Sequence, residues 1–135
     1  MTEPRTQGLL DTSVLVDLPE VPPDALPATT YVSAVTLAEL AQGVHMARDA
    51  AVRARRLERL QEVENLYRSP LPFDEAAARS YGLLVGLVVA AGRDPRPRRM
   101  DLMIAATAAA HGLPLFTRND SDLRGLESAL RVNAV

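Results

Sequence analysis

Apolar residues along this chain come in short blocks bounded by polar turns, prolines and glycines, and the blocks predict alternating strands and helices. Gly8-Leu9-Leu10 ahead of Asp11-Thr12-Ser13 reads as a short buried strand ending in a polar turn, with Val14-Leu15-Val16 opening a brief helix. A Pro-rich loop from Pro19 to Pro27 separates it from a second strand at Thr30-Tyr31-Val32. Thr36-Leu37-Ala38-Glu39 begins a helix running to about Gly43 or His45. From Asp49 to about Asn65, Ala51, Ala54, Leu57, Leu60 and Val63 are spaced for one apolar helix face.

Leu71-Pro72-Phe73 reads as a short extended piece, after which Asp74 caps a helix from Glu75 to about Ala91. Gly92 to Arg99 is a Pro- and Arg-rich loop, and Met100 to Ala110 an Ala-rich helix closed by His111-Gly112. Leu113 to Phe116 forms another buried strand, Thr117 to Asp122 a polar turn leading into a short helix, and Leu130 to Val135 a last edge strand. The order β-α-β-α-α-β-α-α-β-α-β predicts an α/β fold, a mostly parallel sheet with helices on both faces.

A length of 135 residues suits one domain, with core enough to fold without disulfides or zinc. Glu39, Gly86 and Gly92 interrupt the longest apolar stretches before they could span a bilayer. The polar start, Met-Thr-Glu-Pro-Arg-Thr-Gln, lacks the apolar core of a signal peptide, so the expected location is the cytoplasm, with no membrane partner. The absence of cysteine excludes thiol catalysis, zinc fingers and iron-sulfur clusters. The absence of lysine excludes Schiff bases, P-loop phosphate capture and receiver-type phosphotransfer. A formal net charge of −2 argues against coating nucleic acid by bulk charge, although a local basic patch can still grip a short substrate.

The chemistry lies in the acids. Asp11, Glu39, Asp101, Asp120 and Asp122 fall at strand ends or adjoining helix starts, the edge where open parallel sheets place their sites. Convergent carboxylates repel one another and are tolerated chiefly around a hard divalent cation, and oxygen-only ligands select Mg²⁺, with Mn²⁺ as a substitute, over zinc. Such a cation serves phosphodiester hydrolysis. Each acid also has a structural reading: Asp11 as a helix cap, Glu39 closing a capping box with Thr36, Asp101 complementing a helix dipole, Asp120 and Asp122 as turn residues.

Four segments, Leu10-Asp11-Thr12-Ser13-Val14-Leu15, Thr36-Leu37-Ala38-Glu39-Leu40, Met100 to Ala108 with Asp101, and Thr117-Arg118-Asn119-Asp120-Ser121-Asp122-Leu123, resemble in order the motifs of PIN domains of the VapC toxin family. The resemblance covers nearly the whole chain. It implies an α/β/α sandwich of four to five strands over a single domain, residues 1–135, and an Mg²⁺-dependent endoribonuclease acting as the toxin of a toxin-antitoxin pair. Asp11, Glu39 and Asp101 match the metal-binding carboxylates and Asp122 the usual fourth acid, with Asp120 sharing or replacing it. The principal ion is expected on Asp11 and Asp101, with Glu39 and Asp122 completing its shell. A homodimer and a VapB-type antitoxin are implied partners; the apolar faces of the two helices between Thr36 and Asn65 offer docking surfaces, and core packing explains those faces too. The departures, Leu102 after Asp101 and Leu123 in the last motif, do not touch the chemistry.

Thr12, Ser13, Thr117 and Asn119 are short polar neighbours able to orient water or phosphate, or to bond within their turns. Arg93, Arg96, Arg98 and Arg99 lead into Asp101 and Arg118 precedes the last acids, so Arg99 and Arg118 with Thr12 and Asn119 are candidate RNA contacts, against a solvated basic loop. Arg53, Arg55, Arg56 and Arg59 alternate with acids and read as a solvated face. His45 and His111 lack metal-ligand spacing and read as surface or helix-end residues. A processing nuclease without antitoxin is the first rival, and a non-catalytic receiver-like domain the second. Want of lysine and of an acidic pair after the first strand disfavours the receiver, and Asp11-Thr12-Ser13 lacks the second Asp of haloacid dehalogenase-like phosphatases. No motif chooses among transfer, ribosomal and messenger RNA.

Overall fold

A computed structural model describes residues 6–135; Met1 to Arg5, most of the polar N-terminal stretch, lie outside the described residues. β1 (Gln7–Leu10), β2 (Thr29–Tyr31), β3 (Leu115–Thr117) and β4 (Val132–Ala134) form one sheet in the order β2-β1-β3-β4, parallel at every pairing. Leu9 stands opposite Leu115 and Leu10 opposite Phe116, so alternate residues feed opposite faces. Leu9 and Leu115 pack with Leu84 and Val88 of α4 (Glu75–Ala90) and with Leu102 and Ile104 of α5 (Arg99–Ala110). Leu10 and Phe116 pack with Val14 and Leu15 of α1 (Thr12–Val16), Leu40 of α2 (Ala34–His45) and Val63 of α3 (Ala50–Leu66). Strands buried on both faces need unbroken apolar runs, which is why β1 and β3 read clearly in the sequence.

Two close approaches set the packing. A Cβ on Gly8 would run into the Phe116 ring and come within 3.3 Å of the Pro114 carbonyl, so β1 meets β3 only because Gly8 has no side chain. Ala105, Ala106 and Ala108 of α5 are fully buried, and these small residues let the helix lie close to the sheet. Gly112, at φ 64°, then reverses the chain toward β3.

Four expectations are corrected. Leu71-Pro72-Phe73 adds no strand to the sheet; it makes one bridge, Leu71 with Ser33, and Pro72 has no N–H to continue a ladder. α2 starts earlier than expected, because Ser33 Oγ accepts from Val35 N at 3.0 Å; Thr36 lies inside the first turn and is buried, so Thr36 and Glu39 form no capping box. Asp120 to Leu123 is a 3-10 turn with no helix after it, and the positive φ of Gly125 follows. On α3 only Val63 is buried, while Ala51, Ala54 and Leu57 are exposed. Asp49 and Asp74 cap α3 and α4 through the N–H groups of Val52 and Ala77. Among the described residues no helix is long and apolar enough to cross a membrane.

Candidate active site

The chain leaves β1 toward β2 on one side and returns to β3 on the other, and a parallel sheet opens a crevice at such a reversal, beyond the strands' carboxyl ends. Asp11 follows β1 directly into that crevice and is 5% exposed. It occupies the cap position of α1 but makes no capping bond; Ser13 Oγ and Thr117 Oγ1 donate to its Oδ2 at 2.7 and 2.8 Å. Ser13 Oγ also accepts from the Arg118 N–H, and Thr117 Oγ1 from that of Asn119, so the loop after β3 is tied to the acid. Among the described residues Oδ1 has no protein hydrogen bond, which leaves its lone pairs for a ligand.

Glu39 reaches the same place from α2. Thr12 Oγ1 donates to its Oε1 at 2.6 Å and lies 3.0 Å from Thr36 Oγ1. Burial raises the Glu39 carboxyl above its ordinary range, the Thr12 bond opposes that, and the charge of Asp11 adds to it. Asp101, in the first turn of α5, is pushed up to about 6, first by burial and then by Asp11, Glu39 and Asp122, with Arg98 acting the other way. Neither of its oxygens has a protein hydrogen bond among the described residues. Asp122 meets this group from the 3-10 turn and accepts from Arg98 Nη2 at 2.9 Å. Asp120, two residues earlier, is exposed and, among the described residues, joins no hydrogen bond or ion pair of the site.

The fold therefore brings Asp11, Glu39, Asp101 and Asp122 together and leaves Asp120 outside. Among the described residues no three acids stand close enough together to hold a metal ion as they are, but the charges of Asp11, Glu39 and Asp122 all act on Asp101. The donor set fits a hard divalent cation: it is oxygen only, it carries excess negative charge, and free lone pairs remain on Asp11 and Asp101.

The other candidates divide. The Thr12 hydroxyl is engaged with Glu39, and sequence spacing gave no sign of Thr36 beside it. Arg99 lines a cavity of about 210 Å³ with Glu39, Arg96, Arg98 and Asp101. Arg96 pairs with Asp94, and Arg93 donates to the Arg124 carbonyl. Arg118 Nε lies 3.8 Å from Asp17, and its Nη1 is buried without a partner among the described residues. The solvated face read on α3 agrees with the exposure of Arg53, Arg55 and Arg56, and Arg55, Arg56 and Arg59 also line a cavity of about 580 Å³ that reaches Thr12, Val16 and Glu39. His45 ends α2 and His111 caps α5, as expected of helix-end residues.

Residues 8–127, a span holding all four motifs, match the family model described as the PIN domain. The chain is 36% identical to Ribonuclease VapC5 of Mycobacterium tuberculosis, over all of this chain and 98% of that protein. The chain belongs to the VapC family of PIN domains. To Ribonuclease VapC4 of the same organism this VapC-family chain is 37% identical, across 84% of its own length and 87% of the relative's. The crystal structure of VapBC-5 from Mycobacterium tuberculosis, of the VapBC family of toxin-antitoxin systems, superimposes with a TM-score of 0.79 at 35% identity, covering 96% of this chain and 98% of that one. The resemblance carried by the four motifs is thus borne out, and so is the parallel α/β architecture.

Proposed function

We propose that this VapC-family protein is a divalent-metal-dependent endoribonuclease, the toxin of a VapBC-type pair, acting at the crevice of Asp11, Glu39, Asp101 and Asp122. The observation that carries the reading is the meeting of four acids from four segments, close enough that Asp101 is held near 6 by burial and its neighbours' charges. Membership of a family whose similar members are named ribonucleases gives the reaction class.

Asp11 and Asp101 would hold the ion, Mg²⁺ with Mn²⁺ as a substitute, with Glu39 and, once free of its own partner, Asp122 to complete its surroundings. A cation there polarises a phosphodiester and lowers the pKa of water. Ser13 and Thr117 hold Asp11 by one oxygen and leave the other open to a ligand, and Thr12 holds Glu39. Such bonds orient the donors before substrate arrives. Arg99, which shares a cavity with Glu39 and Asp101, and Arg118, Thr12 and the exposed Asn119 are the side chains that would meet RNA.

The partners are RNA, a VapB-type antitoxin and a second copy of the chain, in the cytoplasm. Likeness over nearly the whole chain to VapBC-5, a member of a toxin-antitoxin family, supports the antitoxin. Its docking surface is the α2 and α3 side, where Val16, Leu57 and Leu66 are exposed beside the arginine-lined cavity. Induced expression in a bacterial host tests the toxin reading: growth arrest with discrete cuts in cellular RNA, both lost in Asp11→Asn, supports it. Cleavage by purified protein without arrest would favour a processing nuclease.

A further inference from the structure

The guanidinium of Arg98 is built into the acid crevice. The 3-10 turn Arg96–Arg98 delivers it one residue before α5, and its Nη2 holds Asp122 Oδ1 at 2.9 Å across 24 residues of chain. Both side chains are about one-third exposed, at 32% and 37%, so the pair is neither a solvated surface bridge nor a sealed one. Its Nε is buried and has no partner among the described residues. Of the loop arginines, Arg93 and Arg96 are tied elsewhere, to the Arg124 carbonyl and to Asp94. Among the described residues Arg98 is the basic side chain paired with one of the four acids, and its charge reaches Asp101 as well.

We infer that Arg98 is a built-in counter-ion of the crevice, which competes with the divalent ion by holding Asp122 out of the donor set. This rests on the metal-site reading above. A guanidinium and a divalent cation draw on the same carboxylates, and two positive charges in one crevice repel. With Arg98 in place, Asp11, Glu39 and Asp101 remain as donors and Asp122 is satisfied by its pair. The ion-free protein is thereby relieved of part of its acid repulsion, and binding of the ion is weakened. Asp122 enters the ion's surroundings only as far as the pair opens. Arg98 is thus a positioning residue, acting through Asp122.

Mn²⁺ binding to the full chain, followed by calorimetry and by electron paramagnetic resonance, reads this without any RNA. Arg98→Gln is expected to bind Mn²⁺ roughly fivefold tighter than wild type, the scale of one unit charge removed at close range in a partly solvated site. Arg98→Lys, which keeps the charge, is expected to stay near wild type. Asp122→Asn alone is expected to weaken binding modestly, by the lost charge, because that carboxylate is already engaged, whereas in the Arg98→Gln background it weakens binding more and removes most of the gain. Affinity unchanged or weakened in a folded Arg98→Gln protein would overturn the inference, as would additive effects of the two substitutions. A wild type that binds no Mn²⁺ would overturn the metal-site reading together with this one; binding indifferent to Arg98 would overturn this one alone.

Discussion

Thr117 Oγ1 donates to Asp11 Oδ2 at 2.8 Å, joining residues 106 apart in the chain at the ends of two adjacent parallel strands. The bond lies where burial makes it count: Thr117 is 0% and Asp11 5% exposed. It orients the acid as well as satisfying it.

Thr117→Val keeps the shape and removes the donor. A hydrogen bond to a buried carboxylate is worth about 1.5–3 kcal/mol, so urea unfolding is expected to show a loss near the lower end, since Ser13 still donates. Mg²⁺-dependent cleavage is expected to fall about tenfold, from a misdirected Asp11. A variant as stable and active as wild type would show the bond to be incidental.

Thr12→Val tests the bond to Glu39. The Thr12 bond opposes the upward pull of burial on Glu39, so its removal is expected to raise that carboxyl further. The acid limb of the pH–rate profile is then expected to move to higher pH, with Thr12→Ser restoring it. An unmoved profile would separate Glu39 from the reaction.

Asp101, held near 6 against an ordinary 3.8, makes stability depend on pH. In the metal-free protein its proton is retained between those values while the unfolded chain has lost it. The contribution is therefore full below 3.8, declines as pH rises and is gone above about 6. A divalent ion favours the deprotonated form, so the rise in Tm on adding Mg²⁺ is expected to be small at about pH 5 and large at about pH 7.5. Asp101→Asn is expected to abolish most of that difference; an equal Mg²⁺ response at both pH values in wild type would contradict it.

Gly8→Val is predicted to destabilise by about 2–3 kcal/mol, since its side chain would meet the Phe116 ring and the Pro114 carbonyl in a packed layer. Chemical denaturation reads this directly, and a neutral effect would mean that β1 and β3 can part without cost.

The strands and acids that could be read from the sequence are those whose cause is local. Leu9-Leu10 and Leu115-Phe116 are apolar because both sheet faces are covered, and Asp11, Glu39 and Asp101 sit within short runs that carry their own pattern. What stayed hidden depends on distant partners. Nothing near Thr12 announces Glu39, and although the last motif already favoured Asp122 over Asp120, its pairing with Arg98 of another loop could not be read from it. The capping box at Thr36 was a local pattern without its structure, because Ser33 three residues earlier takes the cap. The extended piece at Leu71 had strand-like residues, but Pro72 denies it a ladder. The face of α3 was periodic in sequence and yet exposed, since a helix at the edge of the layers need bury only its last turns, at Leu60 and Val63.

Metal-dependent cleavage at the four-acid crevice is tested most directly by incubating total cellular RNA with purified wild type and Asp101→Asn, each with Mg²⁺ or with EDTA. Discrete cuts are predicted for wild type with Mg²⁺, none with EDTA, and at least about a hundredfold less cleavage by a folded Asp101→Asn protein. Cleavage that survives EDTA, or that Asp101→Asn performs as well as wild type, would contradict that chemistry.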